Sequence, residues 1–339
     1  VFFALIIIVL IFEALGQILP YMNGQSMLFD FNTNRDGTIL NIARIKIIIL
    51  QVSIIGIFAL GVTQVIISGG IDLSSGPLVG AAAMIVMSFG QTELVNGQLN
   101  PKAVFGDWAF DLPVIIPILV GLAFGALIGA INGSLIAYTR IPPFIATLAM
   151  MLMARGLARR LSDELSIQAL PASFKWIGGE TTFGIPNPVI LMIVLYGMAH
   201  FVMSRTVFGR YVYAVGGNAE AARLSGVPVK RVIVIVYTLC GALAGLGGIV
   251  QASKLGSGDP KLGLMFELDV IAAVVVGGTS LMGGEGRIFG TLIGAFIIAV
   301  IKNGMNLMKV GAPEQQIVLG AVVLLAVLVD TLKRRGTPP

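Results

Sequence analysis

The chain has 339 residues, 56% of them hydrophobic and only 12% charged, at a mean hydropathy of +0.95. Soluble chains carry about 25% charged residues, so this one has roughly half the charge needed to cover a water-facing surface, and a set of soluble domains is excluded. The net charge of +5 does not indicate a nucleic-acid binder, because the basic residues lie in loops between apolar runs, where retention at an anionic membrane face accounts for them.

The first apolar run, "VFFALIIIVLIF", begins at Val1 with no methionine and no basic segment ahead of it. It is read as a first span with its start missing, not as a cleavable signal. Further runs follow near 47–68, 77–90, 113–138, 143–161, 187–204, 232–252, 267–282, 288–308 and 316–332, which with 1–19 make ten candidate spans. The loop "SRTVFGRYVYAVGGNAEAARLSGVPVKR" carries Arg205, Arg210, Arg223, Lys230 and Arg231, and the tail adds Lys333, Arg334 and Arg335. Basic loops stay in the cytoplasm, and the four spans between these two clusters allow both to do so. The expected fold is therefore all-α and polytopic, with about ten spans, both ends cytoplasmic, and one transmembrane domain over 1–339. Arg155, Arg159 and Arg160 oppose this orientation, since they fall at the outer end of the fifth span. The outer segments are expected at about 20–46, 91–112, 162–186, 253–266 and 309–315.

Glycine is abundant, at 43 residues against roughly 24 for an average chain of this length, as suits close helix crossings in a membrane. "GGIDLSSG" (Gly69 to Gly76) and "GGTSLMGG" (Gly277 to Gly284) share a frame, either as a duplicated hairpin or by chance in a glycine-rich chain. No Gly-x-x-x-x-Gly-Lys-Ser/Thr sequence occurs, so the chain has no P-loop for ATP. Cys240 is the one cysteine, which excludes a disulfide framework or a cysteine zinc site, and it suits a small packing role. His200 is the one histidine and leaves no imidazole pair for a haem or copper relay, nor a Ser-His-Asp arrangement; a helix-end histidine held by packing is expected. Ionisable residues of the spans, namely Asp72, Glu267, Asp269 and Lys302, lie near span ends, so no mid-membrane carboxylate offers itself for ion coupling. Glu267 and Asp269, at i,i+2, do not face each other.

The basic loop at about 205–231 contains a short helical stretch, Ala219 to Leu224. Asn218 can cap its first turn, Glu220 suits its dipole, and Gly226 can stop it in a left-handed conformation. Such a helix either rests on lipid headgroups or docks into a cytosolic partner; its alanine-rich face suits a protein groove better than lipid.

The strings "VIISGGIDLSSGPLVG", "GALIGAINGSLIAYTRIPPFIATLAMM", "FGRYVYAVGGNAEAARLSGVPVKR" and "FELDVIAAVVVGGTSLMGGEGRIFGTLIGA" resemble the permease subunits of bacterial monosaccharide ABC importers, a family serving ribose, xylose, galactose and inositol. The likeness runs from about 38 to 332. It implies a bacterial inner-membrane protein, not itself an enzyme, working with a second permease subunit as a homodimer. It also implies a cytoplasmic ABC ATPase that holds the ATP and Mg while this chain binds no cofactor, and a periplasmic sugar-binding protein. In that family the ATPase-coupling loop maps here onto Gly216, Gly217, Asn218, Glu220, Ala221, Ala222, Arg223 and Gly226. The segment from Tyr21 to Ser53 resembles inositol-type members more than ribose-type ones.

Candidates for the translocation path are uncharged amides, Gln51, Gln64, Asn132, Asn303 and Asn306, which can exchange hydrogen bonds with hydroxyls without a charge's desolvation penalty; interhelical hydrogen bonds are the other reading. Asp72 is either a helix cap at a membrane-edge turn or a gate at the cytoplasmic mouth. The competing functions are an ion-coupled secondary sugar carrier, which lacks its carboxylate here, and a membrane-embedded enzyme, which lacks its paired acids.

Overall fold

The computed structural model describes residues 1–18, 27–29, 40–95, 98–99, 104–168 and 171–335. Much of the segment likened to inositol-type permeases, and the side chains of Lys333, Arg334 and Arg335, lie outside the described residues. The described chain is helical: α1 (Phe2–Ile18), α2 (Ile42–Ile67), α3 (Ser75–Phe89), α4 (Ile115–Thr139), α5 (Pro143–Arg160), α6 (Lys175–Gly178), α7 (Asn187–Arg205), α8 (Val207–Gly217), α9 (Ala219–Leu224), α10 (Val229–Leu255), α11 (Phe266–Val276), α12 (Ile288–Leu307) and α13 (Ala312–Arg335). The strands are two-residue ladders in the connections, such as Ile167–Gln168 against Ser257–Gly258.

Each of the ten apolar runs meets a helix, and local chemistry moves the ends. α2 starts five residues ahead of its run because Asn41 caps it, its Oδ1 accepting from Arg44 N at 3.0 Å. Among the described residues five helices are long and apolar enough to cross a membrane: α2, α4, α7, α10 and α12. α5 carries three arginines in 18 residues, while α1 and α3 have 17 and 15 residues. The run expected at 267–282 needs correction. α11 stops at Val276 after 11 residues, about 16 Å at 1.5 Å per residue and half of a ~30 Å hydrocarbon core. Its terminator is Gly278, left-handed at φ +91°, with Gly278 N donating to Val275 O (2.8 Å) and Thr279 N to Val274 O (3.2 Å).

α2 and α10 form the centre. α2 is buried continuously from Val52 to Ile67, and α10 packs along α4, α3 and α2. The α4–α10 contact explains much of the glycine excess. Gly121, Gly125, Gly129 and Gly133 recur every fourth residue on α4, and a Cβ on any of the last three would overlap the α10 backbone at Gly241, Tyr237 or Val234. The converse holds for Gly241 and Gly245 against Gly125 and Gly121. The two backbones therefore touch without intervening side chains, the small-residue packing expected where lipid removes the hydrophobic drive between helices.

The duplication lies elsewhere than the sequence frame indicated. The loop after α2, Gly69 to Gly76, and the loop after α10, Gly256 to Gly263, both read Gly-x-x-Asp-x-x-x-Gly. Both open on a left-handed glycine, Gly69 at φ +81° and Gly256 at φ +64°. In both, the aspartate Oδ1 accepts from the backbone two residues on, Asp72 from Ser74 N and Asp259 from Lys261 N, each at 2.8 Å. The two loops meet, with the Gly263 backbone directly against that of Gly76. "FGALIGA" in α4 (Phe124 to Ala130) and "FGTLIGA" in α12 (Phe289 to Ala295) extend the correspondence. Thus α2–α3 and α10–α11 are two copies of one helix–loop–helix unit. The likeness of Gly69–Gly76 to Gly277–Gly284 is local: the left-handed residue is the first glycine of the pair in one and the second in the other.

Candidate functional site

The loop at 205–231 holds two helices where sequence reasoning placed one. Thr206 caps α8, accepting from Gly209 N at 3.3 Å. The signal for α8 was present in Phe208, Val212 and Val215, spaced i, i+4, i+7 on one face, with Val212 and Val215 buried. Asn218 is extended at φ −160° and ends α8 while its Oδ1 accepts from Ala221 N at 2.9 Å, so one residue turns the chain and caps α9. Gly226, left-handed at φ +84°, closes α9 with Gly226 N donating to Arg223 O and Val227 N to Ala222 O, both at 3.0 Å. A Cβ on Gly226 would meet nothing within 4 Å, so conformation and not crowding demands glycine there.

On α9 only Ala222 is buried; Ala219, Glu220, Ala221, Arg223 and Leu224 face outward. Glu220 and Arg223 pair one turn apart, Arg223 Nε donating to Glu220 Oε2 at 3.1 Å, and this bond and charge hold the Glu220 carboxyl below its usual range. Leu224 is 78% exposed at the end of the helix. The same loop carries the exposed cations Arg205, Arg210, Lys230 and Arg231, with Lys230 over the Tyr138 ring. The surface is a short helix of small side chains in a loop rich in positive charge. Immediately before it, Gly216 and Gly217 lie against the backbones of Ile67 and Gly284, and Tyr213 Oη donates to Gly286 O at 2.9 Å.

The five path candidates do not form one site. Gln51 and Asn303 bond to each other across α2 and α12, Asn303 Nδ2 donating to Gln51 Oε1. Asn132 on α4 is fully buried and donates to Ser74 Oγ at 3.0 Å. Gln64 is buried within α2, and Asn306, exposed, accepts from Gln315 Nε2 at 2.7 Å. Asp72 is only 1% exposed. Its Oδ1 accepts from Ser74 N and Oγ at the start of α3, and its Oδ2 accepts from Cys240 Sγ at 3.3 Å. A cavity of about 570 Å³ opens between α11, α12 and α13, and its polar lining is Asp269, Lys302, Gln315 and Gln316 instead.

The charged residues of α11 find separate partners. Arg155 Nη2 donates to Glu267 Oε1 at 2.6 Å, tying α5 to α11, and Lys302 pairs with Asp269, tying α12 to α11. The first pair gives Arg155, which opposed the charge-based orientation, a local reason for its position. Arg160 pairs with exposed Asp163 at 2.8 Å. His200 lies exposed on α7 against the Phe289 ring. Among the described residues no group of His, Cys, Asp and Glu is placed to hold a metal ion.

Comparison with known proteins agrees with the resemblance read from the motifs. Residues 44–328 match the family described as branched-chain amino acid transport system / permease component. The chain is 41% identical over 291 residues to the ribose import permease protein RbsC of Escherichia coli K12, covering 85% of each chain. It is 43% identical over 297 residues to that of Bacillus subtilis 168, covering 87% of this chain and 85% of the relative. It is 34% identical over 370 residues to the xylose transport system permease protein XylH of Escherichia coli K12, covering 91% and 90%. No solved structure matches. With a family match over most of its length and five helices able to cross a bilayer, the chain belongs to this permease family and is a multi-pass protein of the bacterial inner membrane.

Proposed function

We propose that the chain is the membrane-spanning subunit of an ATP-binding-cassette importer that moves a monosaccharide or cyclitol into the cytoplasm. Separate cytoplasmic ATPases supply the energy and hold ATP and Mg, a periplasmic binding protein delivers the sugar, and a second copy of the permease completes the path. The chain itself performs no hydrolysis. Its relatives named for ribose and xylose support a pentose-like substrate, and the inositol class rests on the N-terminal resemblance alone. All ten apolar helices cross or enter the bilayer in this reading, with both ends cytoplasmic and α3 and α11 penetrating only part way.

The observation that carries the proposal is α9: a six-residue helix, capped at both ends, that buries one alanine and turns the rest outward. A helix this short has no stability of its own, so its two caps and its outward-facing side chains imply selection for an external surface. Lipid is the poorer occupant, because Leu224 is its single large apolar side chain and the remaining faces are alanine and an ion pair. Docking in an ATPase groove fits both features.

Glu220→Arg tests this. It opposes the helix dipole, replaces the Glu220–Arg223 attraction by repulsion, and is expected to release the ATPase or abolish its stimulation while the membrane helices stay folded. Gly226→Val, which forbids the left-handed stop, is expected to do the same. The measurement is ATPase retention on the purified permease and binding-protein-stimulated hydrolysis. Normal values in both variants would return α9 to the lipid surface, where an added positive charge strengthens contact with anionic headgroups. Uptake driven by a proton or sodium gradient alone, in liposomes holding only this chain, would overturn the importer reading in favour of a secondary carrier.

A further inference from the structure

The segment just ahead of α9 is wedged into the membrane domain by backbone alone. A Cβ on Gly216 would overlap the carbonyl oxygen of Ile67, the last residue of α2, and crowd Gly284 N at 2.6 Å. That same Ile67 oxygen accepts from Gly284 N at 2.8 Å. Gly283 and Gly284 are both left-handed, at φ +83° and +75°. A Cβ on Gly283 would stand 2.8 Å from Gly216 O and 2.9 Å from Gly69 Cα, and one on Gly284 would stand 2.9 Å from Gly217 Cα. Three chain segments therefore meet with no side chain between them: the end of α8, the end of α2, and the loop joining α11 to α12. Tyr213, one turn back on α8, adds its hydrogen bond to Gly286 O in that loop.

The two exits from α9 differ. Towards α8, only Asn218 separates the capped helix from the locked Gly216–Gly217 pair. Towards α10, the chain leaves through Gly226, around which a Cβ would find open space. Displacement passes most directly through close-packed backbone, which has little compressibility, whereas on the other side an open turn at Gly226 comes before Val227 and Val229 rejoin the core.

We propose that Gly216 and Tyr213 are positioning residues of a transmission contact, through which movement of the docked helix α9 reaches α2 and the α11–α12 loop by way of α8 and not through α10. This rests on the reading of α9 as the ATPase-docking helix. A push on Gly216 bears on the Ile67 carbonyl, and hence on the loop that terminates the short helix α11. The cytoplasmic surface would thus be linked to a helix of only 11 residues, too short to cross the hydrocarbon core.

The test compares Tyr213→Phe, Gly216→Ala and Gly197→Ala in the permease purified with its co-purifying ATPase. The probe is ATP with Mg and vanadate, and the readout is amide hydrogen exchange over 207–226 and 266–287. In the native protein the nucleotide is expected to change exchange in both segments together. Tyr213→Phe is expected to keep the ATPase bound and keep the change over 207–226, while the change over 266–287 falls about three- to tenfold, the population shift one lost hydrogen bond supports. Gly216→Ala acts in the same direction and more strongly. Gly197→Ala on α7, whose Cβ meets nothing within 4 Å, stays native. A native response over 266–287 in Tyr213→Phe overturns the inference, and that variant decides alone if Gly216→Ala fails to assemble. So does a native complex that binds nucleotide, responds over 207–226 and shows no change over 266–287. Absence of any ATPase on the native permease instead overturns the docking reading beneath it.

Discussion

The α4–α10 seam and the surroundings of α11 are held by different means. Along the seam, four glycines on one helix and two on the other bring backbones together with no polar side chain involved. Around α11, close backbone contact with α12 at Gly277, Gly290 and Gly294 is joined by charge: Arg155 from α5 and Lys302 from α12 each reach a carboxylate in its first turn. Within one register a glycine seam has one geometry, because no rotamer can adjust it. An ion pair between long side chains tolerates changes in angle and separation, since Arg and Lys stems swing while the charges stay associated. The difference separates a seam made by backbone alone from a helix whose first turn is fastened by charge as well.

The largest effect is expected at the seam. Gly125→Leu must push α10 away along its whole length, and overpacking of this kind costs about 1–3 kcal/mol or more. In detergent the variant should lose its monodisperse peak or unfold at a markedly lower temperature. A native unfolding midpoint would mean that the seam adjusts, and the contrast with α11 would fail.

Glu267→Gln comes next. It leaves the Arg155 guanidinium, 29% exposed, without its anion. Breaking a fully buried pair costs roughly 3–5 kcal/mol, which this partial exposure reduces to about 1–3. The double variant Arg155→Met/Glu267→Met should recover most of that loss in a thermal unfolding series. If the single change left stability untouched, α11 would be held by packing alone, like the seam.

The smallest effect is expected at Gln51–Asn303. Gln51→Leu should cost about 0.5–1.5 kcal/mol, the range for one interhelical hydrogen bond. Gln51→Leu/Asn303→Leu should cost no more than the single change, because both amides then leave together. Sugar transport that collapses in the double variant while stability holds would instead make this pair part of the path.

What the sequence shows of the loop at 205–231 is local, and for that reason it was legible. Asn218, Glu220 and Gly226 act within four residues of themselves, so the cap, the first-turn acid and the left-handed stop follow from residue type and spacing. The apolar runs likewise mark helices one by one. The end of α11 was missed because Gly277–Gly278 lies inside an apolar run, and hydropathy does not see a left-handed turn. The true duplication was missed because Gly256 to Gly263 shares only its glycines and aspartate with Gly69 to Gly76. The glycine spacing in α4 stood in the sequence as a periodic signal, though its partner helix did not. Pairs such as Arg155 with Glu267, 112 residues apart, and Gln51 with Asn303 depend on which helices become neighbours. No single-residue property encodes that.

The even spacing of Gly121, Gly125, Gly129 and Gly133 also raises a problem of register. Sliding α4 along α10 by four residues, about 6 Å, brings each glycine to the place its neighbour held, so a shifted pairing loses only one contact at the end. A helix inserted in lipid can therefore meet its partner in more than one alignment of nearly equal quality. The native alignment is marked by a feature that does not repeat: Asn132 donates to Ser74 Oγ, and Ser74 is held by Asp72 beneath Cys240 of α10. A four-residue slip would strand that buried amide in hydrocarbon. The small polar cluster at the α2–α3 loop thus works as a stop on an otherwise uniform track, selecting one alignment during assembly.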